Sequence, residues 1–277
     1  MVATPPKYLR PPLKWAGGKH RVLGEILPRL PKGKRLIEPF LGSAVVFLNA
    51  DYPTYVVADK NEALVGFYRF LRDDPEELIQ RVGALFTDEN NESAQFYALR
   101  AQFNASTCPK ERAVLLFYLN RHAYNGLYRV NSRGIFNVPY GRFKRPKIYE
   151  ERLRALASKL ENASLQHGDF ETVMDQAGPG DVVYCDPAYH PLSNTAKFSS
   201  YTAGGFGPDG QKRLAECARA ACARGATVAI SNHNVPFTQD IYAGAIIHEF
   251  DVRRTISRDI TNRGMAPELL AVFKPKT

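Results

Sequence analysis

A carboxylate, a proline and an aromatic ring stand together at Asp186-Pro187-Ala188-Tyr189, directly after the apolar run Val182-Val183-Tyr184-Cys185. Proline lacks the N–H that a sheet ladder needs, so the run ends there, and the polar groups behind it suit a clamp on a flat, amino-bearing ring. An exocyclic amine on such a ring is a poor nucleophile because its lone pair is delocalised. If the Asp186 carboxylate and the Pro187 carbonyl each accept one N–H, the nitrogen can pyramidalise and aim its lone pair at an electrophilic methyl. Tyr189 would stack on the ring, and a base treated this way must leave its duplex. The competing reading is a structural turn in which Asp186 caps a helix.

A second constellation is Glu38-Pro39-Phe40-Leu41-Gly42-Ser43-Ala44, a strand-like run entering a small-residue turn with a helical pattern, Val45 to Asn49, behind it. Such a turn lets a ligand approach the backbone and offers free N–H groups at a helix start. Asp59 closes the next strand-like run, about the distance at which an acid accepts hydrogen bonds from a ribose hydroxyl pair. An ordinary strand–turn–helix with a chance acid is the alternative. The third element, Lys14-Trp15-Ala16-Gly17-Gly18-Lys19, has a Gly-Gly-Lys but neither the first glycine nor the Ser/Thr of a phosphate loop, which excludes a nucleotide triphosphatase of that type.

The elements that must hold these groups are short β-type runs. Arg35 to Glu38, Tyr55 to Asp59, Leu165 to Asp169 and Val182 to Asp186 each end in an acid, and Ala226 to Ile230 runs into Ser231-Asn232-His233. Their apolar character and the helical patterns between several of them predict a doubly wound α/β sheet with its site at the carboxyl ends of the strands. Ile246 to Val252 and Glu268 to Phe273 are expected to form a terminal hairpin.

Residues 62–150 break that alternation. They read as helical up to Leu119 and then as a basic, aromatic stretch: no acid occurs from Ala113 through Tyr149, while Arg121, Arg129, Arg133, Arg142, Lys144, Arg145 and Lys147 alternate with six aromatic rings between Tyr124 and Tyr149. This predicts an inserted domain for a polyanion, consistent with a net charge of +9 over 277 residues. The expected boundaries are 1–61 and 151–277 for the catalytic part and 62–150 for the insert.

Hydrophobic residues at 44% indicate a globular chain. The four cysteines, Cys108, Cys185, Cys217 and Cys222, form no C-x-x-C pair, so neither a metal site nor a disulfide framework is expected. Met1 to Arg10 lacks the apolar core of a signal peptide and the longest apolar run, Ala113 to Leu119, is far too short for a membrane span. A cytoplasmic protein with no membrane and no obligate protein partner is expected.

These residues, in this order, resemble the Dam-type DNA adenine-N6 methyltransferases. The matching stretches are Leu13 to Lys19, Glu38 to Asn49, Ala58-Asp59, Leu119-Asn120-Arg121, Tyr124 to Leu127 with Arg129, Arg133-Gly134, Phe136 to Pro139, Val183 to Pro187 with Tyr189, Pro191-Leu192-Ser193, Ile230 to His233 and Glu268-Leu269-Leu270. The resemblance implies a Rossmann-like methyltransferase sheet with an inserted, mainly helical DNA-recognition domain, and S-adenosylmethionine as cofactor. It implies cofactor contacts from Trp15, Ala16, Gly17, Lys19, Phe40, Gly42, Ser43, Asp59 as ribose ligand, Asp169 and Phe170 at the adenine, and Asp186. It further implies that Tyr124 enters the base stack, that Asn125 contacts the unpaired strand, and that Lys14, Leu127, Arg129 and Pro139 read base edges in double-stranded DNA at GATC. Arg121, Arg133, Arg142, Lys144 and Arg145 would then hold phosphates, with Asp186, Pro187 and Tyr189 catalytic.

Two positions depart from that pattern: Ala188, where the family usually has a second proline, and Ala44, near which a second glycine is common. Alanine at 188 does not fix φ, and Ala44 is strained if its φ is positive. The alternatives to DNA adenine methylation are an RNA adenine or glutamine amide as acceptor, or a DNA-binding homologue with weakened catalysis.

Overall fold

Runs of β-branched and aromatic residues set the strands, and capping residues set the helix starts. The computed structural model describes residues 7–144, 146–190, 206–253 and 265–275. Its strands are β1 (Arg35–Glu38), β2 (Thr54–Asp59), β3 (Ala163–His167), β4 (Asp181–Cys185), β5 (Thr227–His233), β6 (Ile246–Arg253) and β7 (Met265–Phe273). The α-helices are α1 (Leu23–Ile26), α2 (Val45–Asn49), α3 (Glu62–Asp73), α4 (Pro75–Gly83), α5 (Ser93–Ala105), α6 (Pro109–His122), α7 (Glu150–Leu160), α8 (Phe170–Met174), α9 (Pro208–Ala223) and α10 (Pro236–Ile241). Among the described residues the strand pairings are both parallel and antiparallel.

The chain forms two compact units. The first holds the described residues of 1–20, 41–49 and 59–167, the second those of 21–40, 50–58 and 168–277.

In the second unit the strand order is β2-β1-β4-β5-β7-β6. β1 pairs in parallel with β2 on one side and β4 on the other, and β4 pairs in parallel with β5. The order therefore reverses between β1 and β4, the place where doubly wound sheets open toward ligands. Ile37, Val56, Val183, Val228 and Ile230 bury one sheet face against Phe170, Val173 and Met174 of α8 and Leu214, Ala215, Ala218 and Ala221 of α9. The expected hairpin is present as an antiparallel pair, with Ile246 opposite Val272. It does not simply extend the edge: β7 lies between β5 and β6 and runs antiparallel to both.

The third β-type run ends earlier than the sequence predicts. β3 stops at His167, and Asp169 is the N-cap of α8, its carboxylate accepting from the Glu171 N–H at 3.2 Å. Gly168 followed by Asp is a helix-start signal, and capping outweighed the strand reading.

In the first unit, Asn61 and Asp74 cap α3 and α4 through the N–H groups of Leu64 and Glu77. α3 and α6 pack through the stacked rings of Phe67 and Phe117, with centroids 5.8 Å apart. Helix α6 runs three residues past Leu119 to His122. The chain then changes character, as the sequence predicts, into a loop held by antiparallel bridges between Ala123 and Tyr140 and between Val130 and Phe136.

Candidate active site

Asp186 follows the last residue of β4, a strand buried along its whole length. Its Oδ1 is withdrawn from solvent. Pro187 is buried and Ala188 exposed. Tyr189 is half-buried, and its hydroxyl reaches inward to donate to Glu268 Oε2 at 3.2 Å. Its ring meets His233 edge-on at 4.8 Å. Burial, then the charges of Asp186 and Glu268, hold the Tyr189 phenol far above its ordinary pKa, so it stays neutral. Tyr184 is held protonated in the same way by burial and by Asp186, with its hydroxyl bonded to Ser231 Oγ at 2.9 Å. The turn thus presents one carboxylate beside two neutral phenols.

The same unit contains an aromatic box. Phe40 stacks on Phe170 at 5.4 Å, and Phe206 meets both edge-on. Arg213 lies over the Phe170 ring and pairs with Glu171 and Asp169. Phe206 and Arg213 were not singled out by sequence reasoning, since neither lies in a motif.

The first unit gathers most of the other residues named for the cofactor. The Gly42 N–H donates to Asp59 Oδ2 and the Asn61 N–H to Asp59 Oδ1, both at 2.9 Å. Burial raises the Asp59 pKa, while those N–H groups and His167 pull it back toward the ionised form. The Lys60 N–H also bonds this carboxylate, and an acid held at a strand end in this way suits a vicinal diol. Gly42 has a φ of +48°, and a Cβ there would stand 3.1 Å from the Trp15 ring, so the turn is built for close approach. Tyr68 fixes the Gly42 carbonyl through its hydroxyl at 2.6 Å, and Tyr128 stacks on Trp15 at 5.7 Å. Ala16 and Gly17 are exposed, Ser43 is buried, and Lys19 is buried with its ammonium on the Gly17 carbonyl. Ala44 does adopt the left-handed conformation, at φ 63°. That conformation costs an L-residue about 1–2 kcal/mol.

The residues named for DNA also lie in the first unit. Asn120 binds the Lys14 backbone at two points, accepting from its N–H at 2.9 Å and donating to its carbonyl at 2.6 Å, and it reaches the Gly126 carbonyl at 3.2 Å. Gly126, at φ +64°, packs so closely that a Cβ would lie 2.6 Å from Lys14 Cδ. The Lys14 ammonium sits 4.2 Å from the Phe143 ring centroid. Its pKa is lowered by burial and by Arg121. Tyr124 is 53% exposed at the start of the loop and Asn125 has a φ of 54°. Leu127 is half-buried and Pro139 exposed. Arg129 is braced by Asn137, with Nε on the side-chain oxygen at 2.7 Å and Nη2 on the carbonyl at 3.2 Å. Arg133, Arg142 and Lys144 are exposed, whereas Arg121 is half-buried over Tyr149. Arg145 and Pro191-Leu192-Ser193 lie outside the described residues.

Among the described residues no helix is long and apolar enough to cross a membrane, and no cluster of His, Cys, Asp and Glu could hold a metal ion. The described cysteines are free thiols, with Cys185 and Cys222 buried, Cys217 half-buried and Cys108 exposed.

The chain is similar to known proteins along most of its length. The DNA adenine methylase of Serratia marcescens is 46% identical over 263 residues, which cover 95% of this chain and 97% of that protein. Its counterparts are 44% identical in Escherichia coli K12 and 40% identical in Vibrio cholerae, each covering 95% of both chains. Among solved structures, TrmN of Thermus thermophilus aligns over 92% of this chain and 47% of its own at 13% identity and a TM-score of 0.40. Residues 15–256 match the family described as "D12 class N6 adenine-specific DNA methyltransferase". With that match over most of its length, the chain belongs to the D12 class of adenine-specific DNA methyltransferases.

Proposed function

We propose that the protein methylates N6 of an adenine flipped out of duplex DNA, at GATC, with S-adenosylmethionine as methyl donor. The observation that carries this reading is the Asp186-Pro187-Tyr189 turn at the carboxyl end of β4, next to the reversal of strand order. When bound, S-adenosylmethionine supplies an electrophilic methyl.

The Asp186 carboxylate and the Pro187 carbonyl accept the two amine hydrogens and so direct the nitrogen lone pair toward the methyl. Tyr189, kept neutral, offers a ring face to the base without a competing charge. Asp59 takes the ribose hydroxyls and the Gly42-Ser43 turn the methionine part, with Trp15, Ala16, Gly17 and Lys19 alongside. Phe40 lies with that turn along the methionine part, and Asp169 and Phe170 take the cofactor's adenine. For DNA, Lys14 and Arg129 fork onto guanine edges and Leu127 and Pro139 meet a thymine methyl. Tyr124 fills the gap left by the flipped base and Asn125 contacts its former partner strand. Arg121, Arg133, Arg142, Lys144 and Arg145 set register on phosphates. In this reading residues 62–150 are the recognition domain, and the enzyme works on DNA in the cytoplasm without a protein partner.

The deciding experiment incubates the protein with methyl-labelled S-adenosylmethionine and four acceptors: unmethylated GATC duplex, the same duplex altered at one base pair, single-stranded DNA, and RNA of the same sequence. Label confined to N6 of adenine in the GATC duplex is the expected result. Label on RNA alone, or on none of the four, would overturn it.

A further inference from the structure

The backbone around Tyr189 is held from inside by two buried carboxamides. Gln211 of α9 donates its Nε2–H to the Ala188 carbonyl at 2.8 Å. Asn232 of β5 accepts the His190 N–H on Oδ1 at 3.1 Å. The two side chains are joined, Asn232 Nδ2 donating to Gln211 Oε1 at 2.9 Å. Tyr242 closes the ring, taking a hydrogen bond from Asn232 Nδ2 at 2.9 Å and giving one to Gln211 Oε1 at 3.2 Å. Gln211, Asn232 and Tyr242 are fully buried, at 0% exposure. The orientation of both amides follows from the network: a flipped Gln211 would set its oxygen against the Ala188 carbonyl and its NH₂ against the Asn232 NH₂.

This arrangement brackets one residue. The carbonyl before Tyr189 and the N–H after it are each held by a buried side chain whose amide oxygen and nitrogen both take part in the network. Pro187 fixes its own φ, but nothing in the covalent chain fixes φ at Ala188 or Tyr189. A network of this kind has a stability cost if a member is left unpaired, so it is a demanding way merely to fill a core. It is an effective way to hold an active-site turn within a few tenths of an ångström.

We propose that Gln211 and Asn232 are positioning residues that set the direction of Tyr189 and, through the same turn, of the Pro187 carbonyl, an inference that rests on the methyltransferase reading above. They touch neither the base nor the methyl donor. Their removal lets the turn rotate at Ala188, which slows the chemical step without loosening ligands held elsewhere.

The test is Gln211→Met, similar in length and unable to donate, assayed on the GATC duplex. The expected result is a kcat at least tenfold lower, with dissociation constants for S-adenosylmethionine and duplex within threefold of the wild type. Adding Ala188→Pro, which restricts the freed φ covalently, is expected to recover at least half of the loss on a logarithmic scale. Hydrogen exchange at the His190 amide should quicken at least tenfold in Gln211→Met. Should that variant not fold, Gln211→Glu keeps the acceptor toward Asn232 and Tyr242, and as a carboxylate it loses the donor toward Ala188. Its kcat should rise as pH falls and the acid regains a proton to donate. An unchanged kcat, or parallel losses of kcat and binding that Ala188→Pro leaves uncorrected, would overturn the assignment. A wild type without turnover on any adenine substrate contradicts the methyltransferase reading instead. In that event His190 exchange decides alone: quickened exchange upholds the clamp, unchanged exchange refutes it.

Discussion

Asn120 forms a reciprocal pair of hydrogen bonds with the backbone of Lys14, a residue 106 positions away in the sequence. The amide replaces a strand partner: it satisfies the N–H and the carbonyl of Lys14 together, and its third bond to the Gly126 carbonyl ties the same point to the start of the Tyr124–Pro139 loop. Asn120 is 3% exposed, so water does not substitute for it. Asn120→Ala is expected to destabilise the protein by about 1–3 kcal/mol, the range for a buried group left unsatisfied. If Lys14 reads a guanine as proposed, the loss of its seat should lower discrimination at that base pair more than at the others. Urea unfolding and kcat/KM on singly altered sites measure the two effects.

His122 gives a prediction for acid stability. Burial, and then the nearby charges of Arg121 and Lys14, lower its pKa to about 4, although its ring nitrogen bonds the Tyr118 carbonyl at 2.8 Å. The folded protein therefore keeps the imidazole neutral where the unfolded chain protonates it, so stability is lost as pH falls from about 6.5 toward 4. The loss amounts to as much as about 3 kcal/mol at 1.36 kcal/mol per pH unit. His122→Gln removes this titration, and its stability between pH 7 and 4 should be flatter than the wild type's. Parallel curves for the two proteins would refute the assignment.

Arg129 is expected to act on sequence choice. Since Asn137 already holds its Nε and one hydrogen of Nη2, a guanine would be met by the remaining N–H groups of the two terminal nitrogens, and one such contact carries about 1–3 kcal/mol of discrimination. Arg129→Ala should reduce the preference for the cognate site by roughly 5- to 150-fold at one base pair and leave the others. Asn137→Ala should do the same more weakly. Equal losses on every site would make Arg129 a phosphate ligand.

Binding to duplex should depend steeply on salt. About five phosphate contacts give a log–log slope on the order of −4 to −5. Lys144→Ala, an exposed residue, should make the slope shallower by about one unit with sequence preference unchanged. A slope near zero would remove the basic stretch from duplex binding.

The sheet was legible because its strands are buried apolar runs: β1 coincides with the expected residues, and β2, β4 and β5 differ by a few residues at their ends. β3 was misjudged because the strand signal and the cap signal overlap at Gly168-Asp169. Of the candidate site, Asp59, Asp186 and Tyr189 stand out in the sequence because acids and an aromatic follow directly on apolar strand runs. Gln211 gave no such signal, as it sits in a helical pattern that reads as an amphipathic surface. Tyr68, Tyr128, Phe206 and Glu268 support the site through contacts distant in sequence, such as Tyr189 with Glu268 across 79 positions. Local spacing carries no trace of such pairs. Ala44 shows the opposite case, where a departure visible in the sequence coincides with a left-handed backbone.

The most direct test of the account is methyl transfer by Asp186→Ala and Asp186→Asn, measured beside their affinity for the GATC duplex. If the carboxylate accepts an N–H of the target amine while the basic loop holds the backbone, Asp186→Ala should lose turnover and keep duplex affinity within about threefold, an energy difference below 1 kcal/mol. Asp186→Asn should retain partial turnover, because an amide oxygen still accepts one hydrogen bond. An alanine variant that methylates the duplex at the wild-type rate would contradict the mechanism at its centre.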